Sequence, residues 1–271
     1  MKKVILITFI VNITFSFAQT NCFIYPEGSG ERKACELSYK AIEHKQGSRE
    51  SQILFDSAIA IGPKFAWAYY EKSVPYFKRG FLYEGLQILN KAIELEPIEY
   101  LCYRAYWYWQ YKNYELCIQD LETYYALPKA YIQFTPGGEK DMRIILALAY
   151  AKTGNYKKGV EIINSCLNSY ESDSDAGLSD YYSLGIIHFH NKEYNKATEA
   201  FIKQLEVNGN MADTYYFLGL AYKNLSNIEE AKIQFNKALS KFEDINRNLN
   251  INAGYKAYLS DVVKEIESLK Y

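Results

Sequence analysis

Three histidines, His44, His188 and His190, are the only imidazoles in this chain of 271 residues. His188 and His190 stand two apart, so on a helix they point about 200° from each other and cannot share a metal ion. His-Glu-x-x-His, Cys-x-x-Cys, Gly-x-Ser-x-Gly and phosphate-loop patterns are all missing from the sequence. Glu27-Gly28-Ser29-Gly30-Glu31 supplies glycines but neither a preceding strand nor a lysine for a phosphate. The acidic run Glu171 to Asp175 lacks the loop length and terminal glutamate of a calcium hand, and it reads as a solvated loop. No nucleophile, base and orienting group support one another, which predicts a protein that is not an enzyme, with no metal and no cofactor. The remaining side chains of interest are five cysteines and an aromatic excess of 27 Tyr and 14 Phe. Tyrosine can pad a helical core or dress a contact surface, because one end is apolar and the other polar.

The elements that position these residues follow from a repeat of about 34 residues. Tyr181-Tyr182-Ser183-Leu184-Gly185, followed by Tyr194 and Ala197, returns as Tyr215-Tyr216-Phe217-Leu218-Gly219, followed by Ile228 and Ala231. The same offset carries Pro63 onto Pro97, each closing an apolar stretch. Two short helices cannot bury their apolar faces alone, so units of this length stack on one another into a solenoid. Turn signals at Asn113-Tyr114, Gly154-Asn155-Tyr156 and Asn191-Lys192-Glu193 separate the two helices of a unit. Lys129 to Lys140 and Glu171 to Gly177 interrupt the period, and such insertions are expected in surface loops.

Before the repeats, Met1-Lys2-Lys3, the apolar run Val4 to Phe17 and Ser16-Phe17-Ala18 have the order of a secretory signal peptide. Cleavage near Ala18 predicts an exported protein, periplasmic or associated with an outer membrane. The apolar run is short for a membrane span and no second one follows. A lipid anchor on Cys22 is disfavoured by Gln19-Thr20-Asn21, a poor lipobox. The net charge of −1, less the two lysines of the leader, gives −3. That balance carries no electrostatic footprint for nucleic acid or anionic lipid. In an oxidising compartment Cys22 and Cys35, flanking Pro26 to Gly30, are the candidate disulfide, and an odd count leaves a thiol unpaired within the chain.

The spacing of Tyr215, Leu218, Gly219 and Tyr222, then Ala231, Phe235 and Ala238, resembles the tetratricopeptide repeat. Five more degenerate units precede it, and the unit with Leu101, Ala105 and Tyr108 has a first helix that reads two residues short. Cys117 and Cys166 fall where the repeat takes a small packing residue. The resemblance implies an all-α, right-handed superhelical solenoid of six helix hairpins, over 32–65, 66–97, 98–128, 140–173, 178–211 and 212–245. An N-terminal arm (19–31) would precede it and a capping helix (251–271) would close it.

It also implies a concave face lined by first helices. By register that face would hold Trp67, Tyr70, Phe77, Tyr106, Trp109, Tyr182, Phe189 and Tyr216, with Lys78, Lys152, Lys223 and Asn224 as polar contacts. Family members that clamp an acidic C-terminal tail carry Lys and Asn where this chain has Tyr70, Val74, Ile144, Leu148, Tyr182, Ile186 and Leu220. An apolar or aromatic protein or peptide segment is therefore the expected partner of a non-enzymatic envelope scaffold. Two alternatives are a structural subunit of a secretion or outer-membrane assembly using edges and loops, and a glycan or small-molecule binding module. Register assigns no oligomeric state.

Overall fold

The computed structural model describes residues 21–171, 176–244 and 255–269. The expected signal peptide at 1–18 lies outside the described residues. Among them are thirteen α-helices and one 3-10 helix, and the only β-type pairing is a single antiparallel bridge between Phe134 and Asp141.

The helices fall into two compact units, divided between Leu95 and Glu96. In the first unit α1 (Gly30–Glu43) pairs with α2 (Arg49–Ile61), and α3 (Ala66–Lys78) with α4 (Leu82–Leu95). In the second, α5 (Pro97–Gln110) pairs with α6 (Tyr114–Ala126), and α7 (Met142–Lys152) with α8 (Tyr156–Leu167). Its third and fourth pairs are α9 (Asp180–His190) with α10 (Tyr194–Val207), and α11 (Ala212–Asn224) with α12 (Ile228–Glu243). Each second helix of this unit packs on the next pair, and α5, α7, α9 and α11 contact one another in succession. The final helix, α13 (Leu259–Ser268), packs on α12.

Local chemistry explains why the hairpins repeat. Helices α3, α5, α7, α9 and α11 all end in a left-handed residue: Gly80, Lys112, Gly154, Lys192 and Ser226. One residue later a backbone N–H reaches back over the last turn. The bonds are Phe81 to Tyr76 (2.9 Å), Asn113 to Tyr108 (2.8 Å), Asn155 to Tyr150 (2.8 Å), Glu193 to His188 (2.9 Å) and Asn227 to Tyr222 (2.9 Å). This six-to-one closure satisfies carbonyls that the helix end would otherwise orphan. In three of the five turns the same residue then caps the second helix: the side chains of Asn113, Asn155 and Asn227 accept from the N–H three residues on. One short sequence thus ends one helix, reverses the chain and starts the next.

In the last two pairs a glycine on the first helix faces a ring on the second. A Cβ added at Gly185 would lie 2.5 Å from Phe201, and one at Gly219 would lie 2.7 Å from Phe235. Gly185 and Gly219 therefore set how closely α9 approaches α10 and α11 approaches α12. The core of the last two pairs is Tyr182, Ile186, Ala197, Phe201, Met211, Phe217 and Leu218.

Three features differ from the sequence expectation. Helix α5 is not short: it runs for 14 residues with Pro97 in its first turn, where the missing N–H costs no hydrogen bond. The insertion between α6 and α7 is only partly a surface loop. Tyr131, Ile132 and Phe134 are exposed, but Thr135, Lys140 and Asp141 are buried. Lys140 donates to Ser179 Oγ (2.8 Å) and Ser183 Oγ (3.1 Å) and stands 3.7 Å from Asp180 Oδ1, pinning the insertion to α9. Burial lowers the Lys140 pKa, and the neighbouring Asp180 charge opposes that shift. Lastly, residues 255–258 are not helical; the closing helix starts at Leu259. The Tyr255 carbonyl and the Ala257 N–H bond instead to side chains of earlier helices.

Candidate functional site

The aromatic residues placed on a groove by register divide into two sets. Phe77, Trp109 and Tyr182 lie in the interior, at 1%, 5% and 0% exposure. Phe77 closes over Gly85, where a Cβ would lie 3.1 Å from its ring. Trp109 packs on Tyr114 with ring centres 5.4 Å apart. Tyr182 packs on Phe201 (5.9 Å) and Phe217 (6.0 Å). Closely spaced helix pairs need large rings between them, and these three supply that filling rather than an open contact surface. Val74, Ile144, Leu148 and Ile186, read from the family's clamp positions, are buried as well.

Trp67, Tyr70, Tyr106, Phe189 and Tyr216 are half-buried. In the first unit Trp67 stacks on Tyr39 (5.2 Å) and Phe65 (6.1 Å). In the second, Tyr106 meets Trp107 edge-on (5.5 Å), Phe189 packs on Phe217 (5.7 Å), and Tyr216 leans on Phe235 (5.9 Å). Asn224 is exposed, and its side chain donates to the Leu220 carbonyl of its own helix. Cys22 and Cys35 form a disulfide joining the 3-10 helix Cys22–Ile24 to α1.

Lys152 and Lys223, the two lysines of the second unit expected at a groove by register, both contact residues of the C-terminal segment. Lys152, at the end of α7, holds its ammonium 3.3 Å from the centre of the Tyr255 ring. Burial, then the nearby Lys112, lowers its pKa. Lys223, at the end of α11, pairs with Glu265 of α13 at 2.5 Å and reaches Ser268 Oγ at 3.3 Å.

Around Tyr255 the segment is held at four points on three successive first helices. From α7, Lys152 lies over the ring; from α9, His190 stacks on it with centres 4.6 Å apart. The Tyr182 hydroxyl, also from α9, donates to the Tyr255 carbonyl at 3.0 Å. From α11, Asp213 Oδ1 accepts the Ala257 N–H at 2.7 Å. A cation over a ring, a ring stack and two backbone hydrogen bonds are the contacts by which an extended peptide is gripped. Burial, and then the phenols of Tyr156 and Tyr114, hold the Tyr255 hydroxyl well above its usual pKa. Burial, and next the charge of Lys152, lowers the His190 pKa. The Nε2 of His190 is buried without a hydrogen-bond partner among the described residues.

Sequence reasoning did not assign His190, Asp213, Tyr255 or Gln204. Gln204 sits where the repeat ordinarily takes Ala. Its Oε1 accepts the Tyr182 N–H (2.8 Å) and its Nε2 donates to the Leu178 carbonyl (2.9 Å), so it caps the start of α9. A buried amide in an alanine position was a usable signal. Asp213 carried none, because an acidic residue in a first helical turn is accounted for by the helix dipole alone. Groups of three or more metal-ligating side chains are absent among the described residues. No described helix is long and apolar enough to cross a membrane.

Stacked antiparallel hairpins with this turn place the chain among the all-α repeat proteins. Residues 212–240, which span most of α11 and α12, match the family model of the tetratricopeptide repeat. The fold is also similar to that of solved tetratricopeptide-repeat structures. One is PilW, described as a widely conserved type IV pilus biogenesis factor, with a TM-score of 0.61 and 14% identity over 79% of this chain and 95% of that one. Another is YrrB, described as a TPR protein with an unusual peptide-binding site, with a TM-score of 0.54 and 19% identity over 70% of this chain and 93% of that one. Among curated proteins, Superkiller complex protein 3 of Homo sapiens is 31% identical over 100 residues, or 36% of this chain. The match spans 6% of the length of that relative. The match to the family is thus to one repeat, residues 212–240, and the fold of the chain is that of an all-α tetratricopeptide-repeat solenoid.

Proposed function

We propose that this protein is a non-catalytic, exported scaffold that binds an extended peptide segment across the first-helix face of its second unit. The observation that carries the reading is the grip on residues 255–257: backbone bonds from Tyr182 and Asp213, with an aromatic ring between Lys152 and His190. A face that holds one extended segment in this manner has donors, acceptors and a ring slot in fixed register, so only the ligand must order on binding. YrrB, a fold neighbour, is described as having a peptide-binding site, and PilW as a pilus biogenesis factor. These descriptions, with the signal segment and the Cys22–Cys35 disulfide, support a role in an envelope.

The test is positional. Peptides selected by display against the mature protein should crosslink from a photoreactive residue at 106, 189 or 216, on first helices. They should not crosslink from 161 or 203, on second helices. Crosslinking confined to 132–134 would favour the structural-subunit reading, in which the exposed loop residues Tyr131, Ile132 and Phe134 make the contacts. Selective capture on a glycan array, with no peptide selected, would favour the sugar-binding reading.

A further inference from the structure

The grip on Tyr255 has the form of a ligand site whose occupant is part of the same chain. The ring fills a slot between a lysine and a histidine from neighbouring repeats. Two residues on, Ala257 is buried, and its N–H goes to an aspartate on a third repeat. Between them Lys256 is exposed and makes no part of the grip. Tyr255 to Ala257 are not helical, so their backbone groups are available to side chains rather than to one another. Among the described residues the buried Nε2 of His190 has no hydrogen-bond partner, a capacity that Tyr255 to Ala257 leave unused.

From these contacts we propose that Tyr255-Lys256-Ala257 is an internal competitor. The partner it holds off is a peptide segment with the same pattern: an aromatic residue, any residue, then a small residue with a free N–H. The proposal rests on the peptide-binding reading of the first-helix face. It adds the partner's pattern and a built-in threshold for capture. A tethered segment acts at an effective concentration on the order of millimolar. If the segment's own dissociation constant for the open site is about 100 µM, a free peptide binds roughly tenfold more weakly to the intact chain.

The experiment measures, by fluorescence anisotropy, binding of a labelled, acetylated peptide spanning residues 255–262 to the mature protein and its variants. Tyr255→Ala is expected to bind this probe at least tenfold more tightly than wild type. Tyr255→Phe keeps the ring between Lys152 and His190 and should bind as wild type does. Adding Lys152→Ala to Tyr255→Ala should reverse the gain, and a probe with alanine in place of its first tyrosine should not bind. Circular dichroism on each variant reports that the helices persist. Equal affinity for wild type and Tyr255→Ala, with crosslinks still on first helices, overturns the competition and leaves the peptide-binding face standing. No binding to any variant overturns both.

Discussion

At the residue scale, the same side-chain type performs opposite tasks according to the helix face it falls on. Tyr182 was expected at an open groove, yet it fills the core against Phe201 and Phe217 and extends only its hydroxyl to the Tyr255 carbonyl. Gly185 shows the reverse case, where a residue type read from the repeat maps directly onto a contact. Its missing side chain is the space that the Phe201 ring occupies. Gly185→Ala should therefore destabilise the protein by about 1–3 kcal/mol, as overpacking does, read as a fall in the urea midpoint. Gly209→Ala is the control: its nearest neighbour would be the Leu205 carbonyl at 3.4 Å, an ordinary contact. Equal midpoints for the two variants would contradict the close-approach role of Gly185.

Helices and their connections obey a rule that the sequence states openly in places and conceals in others. Gly154-Asn155 announces the turn between α7 and α8. Lys112, Lys192 and Ser226 adopt the same left-handed backbone with φ near 61°, 62° and 60°, without the residue type that makes it cheap. A side chain at such a position costs roughly 1–2 kcal/mol, partly offset by the entropy that glycine loses on folding. Lys192→Gly should then stabilise by about 0.5–1 kcal/mol, visible as a higher urea midpoint with an unchanged slope. A lower midpoint would mean that the lysine side chain contributes more than its backbone conformation costs. The C-terminal element was the least legible. Its apolar spacing suggested one helix from 251 onward, and α13 keeps that character from Leu259 to Ser268. Residues 255–258 depart because Asp213 and Tyr182 offer their backbone partners on other helices, and Asp261 accepts the Tyr258 N–H to start the helix later.

For the molecule as a whole, the cysteines divide into one bonded pair and three buried thiols. Cys22 and Cys35 are bonded, whereas Cys102, Cys117 and Cys166 are free and buried. Burial first, and then Asp120, pushes the Cys117 thiol up to about 12. Burial first, and then Asp141, does the same for Cys166, also to about 12. Since the thiolate is the reactive form, none of the three should react at neutral pH while the protein is folded. A thiol reagent should therefore count no free cysteine in the native protein and three after unfolding without reductant. Five after unfolding would mean that the chain had never been oxidised, and would remove the disulfide as support for export.

What the sequence determined by itself is what depends on spacing along the chain. The 34-residue return of small and aromatic residues dictates helix hairpins that must stack, because neither helix of a pair can bury its apolar face alone. The scarcity of histidine and the missing catalytic spacings directed attention to binding rather than reaction. Tertiary structure alone decided which residues share a place when they are far apart in the chain. Lys152, Tyr182, His190 and Asp213 come together on Tyr255 and Ala257 because successive repeats set their first helices side by side. No local pattern encodes that meeting. A periodic sequence repeats its core, but the segment that leaves the period finds its partners only once the stack exists.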